Sequence, residues 1–250
     1  MILLFKSWYR FLALHMNKQF TISAKTLGEL ALPKFCPKCF WIKSKAKLPY
    51  QIFPGIFSSI DSYTKNVVHN YFDTYGCCPK WLKEIGEITS YKKVPHLSKF
   101  YIVDEETNIV LNGIPDDILE LSDGSFAIID YKTSKFTGAQ DRLFPIYNIQ
   151  LNGYSLIGES NGFNPISKLA LIYMEPVTLK DIAHENKHHR EGGFNMVFSA
   201  KILNVEQNAS LIKPLLHKAR AIFDMNTAPN PVTGCENCMR LKDIIRYTTT

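Results

Sequence analysis

The chain has 250 residues, a formal net charge of +6, a sequence pI near 8.9 and 46% hydrophobic residues. That apolar share can fill a real core, which excludes disordered, collagenous and small disulfide-scaffold classes. The excess of 29 Lys and Arg over 23 Asp and Glu permits an anionic partner such as nucleic acid without requiring one.

The chain opens with MILLFKSWYRFLALHMNKQF. It looks like a targeting segment, but Lys6 and Arg10 cut its apolar stretches to about four residues, too short for a signal-peptide core. No apolar run reaches the ~18 residues of a membrane span. Met16 precedes a cleaner domain start, so residues 1–20 read as an N-terminal extension and 21–250 as one domain. The protein reads as cytoplasmic, with no membrane partner.

ISAKTLGEL is predicted to be a helix with Ser23 as its N-cap. FCPKCFWIKSKAK follows, with five lysines between Lys34 and Lys47. A helix is expected from Ser58 to about Tyr75, opened by Ser58 and Asp61 as a capping box, with Ile60, Tyr63, Val67 and Tyr71 on its apolar face. Residues 100–133 read as strands punctuated by Asn112-Gly113 and Asp123-Gly124. A helix from Pro145 to Glu159, a strand KLALIYME, a polar His-rich loop from Lys180 to Gly193, a strand FNMVFSAKI and a helix from Asn208 to Asp224 complete the pattern. Strands with helices before and after them predict an α/β core.

The strand SFAIIDYKTS places Phe126, Ile128, Asp130 and Lys132 on one face and Ala127, Ile129 and Tyr131 on the other. It starts apolar on both faces, as an internal strand does. An Asp and a Lys then share its end, where an unpaired buried charge would cost several kcal/mol, roughly. The preceding GIPDDILEL folds back onto it through Asp123-Gly124. A two-residue loop sets Asp117 opposite Asp130. A three-residue loop of Ser122, Asp123 and Gly124 sets Asp116 there instead, with Gly124 in the left-handed position that such loops commonly fill with glycine. Either register brings together two carboxylates that repel unless a cation joins them. Oxygen ligands suit Mg²⁺ or Mn²⁺.

Pro115-Asp116 followed by Asp130-Tyr131-Lys132 resembles the PD-(D/E)XK nuclease superfamily. GIPDDILELSDGSFAIIDYKTSK is similar to its RecB-type branch, which includes CRISPR-associated RecB-like exonucleases, in having a G-x-x-D strand, a turn and a D-Y-K-T strand. Gln150 and Tyr154 in QLNGY match that branch's Q-x-x-x-Y helix, and His69 sits where it carries an upstream helical His. The resemblance covers roughly residues 21–240. It implies a restriction-endonuclease-like core, a central mixed sheet flanked by helices, and metal-dependent hydrolysis of DNA. Single strands or ends are the expected substrate, with exonuclease action ahead of endonuclease, in repair, recombination or CRISPR-type processing. Asp116 and Asp130 would hold Mg²⁺ or Mn²⁺, helped by the Tyr131 carbonyl and by His69. Lys132 would orient the attacking water. Gln150 and Tyr154, four residues apart on one helix face, would contact DNA. No G-x-x-x-x-G-K-[ST] motif is present, so a helicase or CRISPR/recombination partner would be a separate protein. The rival class is a non-catalytic DNA-binding or assembly subunit that keeps the fold.

Six cysteines fall in the pairs Cys36/Cys39, Cys77/Cys78 and Cys235/Cys238. Two C-x-x-C pairs in a cytosolic chain suggest a metal before disulfides. The outer pairs are too distant in sequence for a local zinc ribbon, yet they could meet if the domain's ends converge. The resemblance implies a [4Fe–4S] cluster there, with Zn²⁺ the alternative, although the branch's usual division of one cysteine upstream and three downstream is two and two in this chain. Cys77 and Cys78 read as buried small residues. His184, His188 and His189 read as part of a polar loop rather than a metal site.

Overall fold

The computed structural model describes residues 18–46, 54–136 and 142–248. Most of the expected N-terminal extension lies outside them, as does Lys47. In chain order the main elements are β1 (Phe20–Ser23), α1 (Ala24–Gly28), α2 (Pro37–Lys45), α3 (Gly55–Tyr75), β2 (Ile88–Lys92), β3 (Tyr101–Asp104) and β4 (Ile109–Asn112). They continue with β5 (Asp117–Leu121), β6 (Phe126–Lys132), α4 (Phe144–Ser160), β7 (Ile166–Pro176), α5 (Lys180–Ala183), β8 (His189–Arg190), β9 (Gly193–Phe194), β10 (Phe198–Val205), α6 (Ile212–Phe223) and α7 (Glu236–Thr248).

A central five-stranded sheet runs in the order β10-β7-β6-β5-β2. β6 pairs antiparallel with β5 and parallel with β7, so the sheet is mixed and β6 is internal, as its doubly apolar sequence requires. One face, with Ile118, Ile128, Leu169 and Leu171, packs under α4, α1 and α6. The other, with Leu119, Ala127, Ile129, Tyr131 and Ile172, packs under Val68 and Phe72 of α3 and the segment around Leu82 and Ile85. Full burial of side chains such as Ile128 and Leu171 contributes about 1.5–3 kcal/mol each. A second sheet, β1-β4-β3, is built by parallel pairing of β1 with β4 and antiparallel pairing of β4 with β3. The buried Arg220 of α6 donates to the carbonyls of Thr107 (2.7 Å), Asn108 (3.0 Å) and Lys18 (3.1 Å), pinning this sheet's turn.

Ser23 caps α1 as expected, its hydroxyl accepting from the Thr26 N–H at 3.1 Å. α1 crosses α4 with almost no gap: a Cβ on Gly28 would stand 2.5 Å from the Ile146 carbonyl oxygen. Two expectations need correction. α3 starts at Gly55, one turn early, so Ser58 lies inside the helix and forms no capping box with Asp61. Its buried stripe is Thr64, Val68 and Phe72, whereas Tyr63 is 70% and Val67 42% exposed. The helix is rotated because Asp61, Lys65 and His69, beside that stripe, face polar partners at the sheet. The strand expected at FNMVFSAKI starts four residues late, at Phe198, because Phe194 is taken by the small β8-β9 hairpin.

Candidate active site

The β5-β6 hairpin pairs Asp117 with Ile129 and Glu120 with Phe126, and the Leu121 N–H donates to the Ser125 carbonyl. The loop is therefore the three-residue form, with Gly124 at φ +81°. One step beyond the last ladder pair, Asp116 lies opposite Asp130. Asp116 and Asp117 then belong to opposite faces of the sheet, and their surroundings differ accordingly.

On the α4 face, Asp130 is buried and paired with Lys132. Its Oδ1 accepts a hydrogen bond from Gln150 Nε2 at 2.8 Å. Gln150 also donates to the Tyr154 hydroxyl at 2.7 Å, so the tyrosine steadies the glutamine that holds the aspartate. The Lys132 ammonium lies 4.3 Å from the centre of the Tyr147 ring. Burial raises the Asp130 pKa to about 6; Lys132 draws it down and Asp116 pushes it up. Asp116 Oδ2 accepts from the Tyr131 N–H at 2.7 Å, and its Oδ1 meets the Lys65 ammonium at 2.6 Å. Asp61, one helical turn before Lys65, accepts from the Thr133 hydroxyl at 3.2 Å. Burial and the charge of Asp116 raise its pKa. Two lysines thus compensate two facing carboxylates, as the repulsion between them demands.

On the α3 face, Asp117 is buried and forms a separate network. Its Oδ1 is 2.6 Å from His69 Nε2, and its Oδ2 accepts from the Tyr131 hydroxyl at 2.8 Å. The His69 ring stacks on Tyr91 at 4.0 Å. Burial, then Asp117, holds the Tyr131 hydroxyl well above its ordinary pKa, so it remains a donor. Of the residues singled out in the sequence, Asp116, Asp130, Lys132, Gln150 and Tyr154 come together. His69 does not join them, because its Nε2 is committed to Asp117. Gln150 and Tyr154 are only 4% and 6% exposed and lie against Asp130 in the interior. A Cβ on Gly113 would sit 2.4 Å from Tyr154 Cε1, so the glycine of G-x-x-D makes room for the tyrosine of Q-x-x-x-Y.

Sequence reasoning missed Asp61 and Lys65. The available signal was the stripe Asp61, Lys65, His69 at steps of four, the spacing of one helix face. The carboxylate donors fit a hard divalent cation such as Mg²⁺ or Mn²⁺.

The outer cysteines converge from both ends of the chain. Cys39 Sγ is 3.5 Å from the sulfurs of both Cys235 and Cys238, Cys36 is 3.7 Å from Cys238, and all four sulfurs lie within 4.8 Å of one another. Such a group can bind a metal ion. It does not fit the expected [4Fe–4S] cluster, whose cysteine sulfurs sit on separate irons and stand more than about 6 Å apart. Cys78 is buried as expected; Cys77, in the bend that follows α3, is exposed, contrary to expectation. Among the described residues His184, His188 and His189 form no three-ligand group.

A mixed sheet flanked by helices, with opposed aspartates and a lysine at the end of its internal strand, is the architecture of metal-dependent nucleases. A family model described as the PD-(D/E)XK nuclease superfamily matches residues 75–240, and the chain belongs to that superfamily. No curated protein matches. Among solved structures, one titled "Crystal structure of SSO0001" is similar at 15% identity and a TM-score of 0.41, over 96% of this chain and 93% of that one.

Proposed function

We propose that this protein is a Mg²⁺- or Mn²⁺-dependent DNA nuclease of the RecB type, acting on single strands or ends, with exonuclease action ahead of endonuclease. The carrying observation is Asp116 opposite Asp130, with Lys132 beside Asp130. Asp116, Asp130 and the Tyr131 carbonyl would hold the ion. Bound there, the ion would polarise the scissile phosphate and supply hydroxide near neutral pH. Lys132 orients the attacking water and offsets charge growing on phosphate. Gln150, steadied by Tyr154, fixes the Asp130 carboxylate. Lys65, released when a cation takes Asp116, is placed to meet a substrate phosphate.

No helix among the described residues is long and apolar enough to cross a membrane. The test compares labelled single-stranded DNA, duplex DNA and RNA with Mg²⁺ or Mn²⁺. Cleavage of DNA by the wild type, lost in Asp130→Ala, is expected. A protein that binds DNA and cuts nothing would be the non-catalytic subunit instead.

A further inference from the structure

The cysteine tetrad has a second regularity besides its close spacing. Cys36 is the N-cap of α2, with Cys39 in its first turn. Cys235 immediately precedes α7, with Cys238 in its first turn. The same backbone bond recurs at each helix start, Phe40 N–H to Cys36 carbonyl (3.2 Å) and Met239 N–H to Cys235 carbonyl (3.1 Å). Each C-x-x-C pair therefore turns two sulfurs toward the other from a helix N-terminus.

A tetrahedral ion with metal–sulfur bonds of about 2.3 Å requires sulfurs about 3.8 Å apart. Three of the six sulfur pairs, at 3.5–3.7 Å, stand close to that figure, and the others lie within 4.8 Å. They are too long for disulfides, whose sulfurs are about 2.05 Å apart, and too short for a cubane.

The two helices depend on this site unequally. α2 has anchors of its own: Phe40 is buried, Trp41 Nε1 donates to the Met225 carbonyl at 2.9 Å, and the Lys45 ammonium donates to the Phe223 carbonyl at 2.7 Å. α7 has no buried residue along Glu236–Thr248, and Met239, Ile244, Ile245 and Tyr247 are all exposed.

We propose that Cys36, Cys39, Cys235 and Cys238 bind a single structural Zn²⁺ ion, and that this ion is what seats α7 on the rest of the protein. The site stands whether or not the carboxylate cluster cleaves DNA.

The test is metal analysis of the full chain, purified without oxygen from cells supplied with both zinc and iron, together with limited proteolysis. One zinc per chain in colourless protein is expected, with tetrahedral thiolate d–d bands after Co²⁺ exchange. Stripping the zinc, or Cys235→Ser, should expose α7 to cleavage between Asp224 and Gly234 while the thermal transition of the core stays in place. Cys235→His, which keeps a four-ligand zinc site, should retain protection where Cys235→Ser loses it. Iron with acid-labile sulfide, or a single iron without it, would overturn the assignment. So would metal-free protein in which α7 resists proteolysis.

Discussion

The two candidate metal sites are built in opposite ways. The carboxylates stand at the end of an internal strand, where core packing on both sheet faces holds Asp116 and Asp130 whatever they bind. The cysteines lie at the edge, on the first turns of two helices, one of which brings no buried surface of its own. One site is imposed by the fold; the other would attach a helix to a core that is already formed. Ligand removal should therefore abolish chemistry at the first and attachment at the second.

The sharpest way to break this contrast is Asp130→Ala. Cleavage should fall by roughly three orders of magnitude or more, with an unfolding transition no lower than the wild type's, because one member of a repelling buried pair has gone. A variant that unfolds would show that the site supports the sheet after all. Next in size is the adjacent pair. Asp116→Asn should lose about 100-fold or more in cleavage rate, while Asp117→Asn should stay within about tenfold. The cost of Asp117→Asn should appear in stability, about 1–3 kcal/mol by chemical denaturation, because a buried partner of both His69 and Tyr131 is altered. A reversed pattern would place the chemistry on the α3 face.

Acid titration sharpens the comparison further. The Asp130 pKa is raised from 3.8 to about 6 in the folded protein, mainly by burial. Protonated, the group is neutral and burial costs it less; ionised, it sits in a poorly solvated site. In EDTA the wild type should therefore lose stability, on the order of 1–3 kcal/mol, as pH rises from about 4 through about 6. Asp130→Asn should flatten that fall, and excess Mg²⁺ should reduce it in the wild type. Equal slopes in wild type and variant would remove Asp130 as the cause. The smallest effect is expected for Tyr154→Phe, which leaves the Gln150 amide without its second acceptor. Cleavage should drop a few-fold, about 3–10, with DNA affinity by fluorescence anisotropy unchanged. Weakened affinity at unchanged turnover would return Tyr154 to a DNA-contact role.

The hairpin that opposes the aspartates was legible in the sequence because its determinants are local: a three-residue loop ending in Gly124 and strict alternation along β6. The orientation of α3 was not. Tyr63 and Val67 are apolar by type, and only the sheet's carboxylates explain why Asp61, Lys65 and His69 turn inward while those two face solvent. The parallel pairing of β1 with β4 was also hidden, since it joins strands separated by most of the first hundred residues. α7 went unread for the opposite reason: with no buried face, it offers no core pattern to find.

Gly113 and Tyr154 lie on different elements and in different sequence motifs, yet the ring of one occupies the space a Cβ on the other would need. Genetically they should behave as one locus. Gly113→Ala would drive the Tyr154 ring off Gln150 and loosen Asp130 at a distance. In a selection for restored cleavage, suppressors of that lesion should arise at position 154 as smaller side chains, ahead of any change among the charged residues themselves.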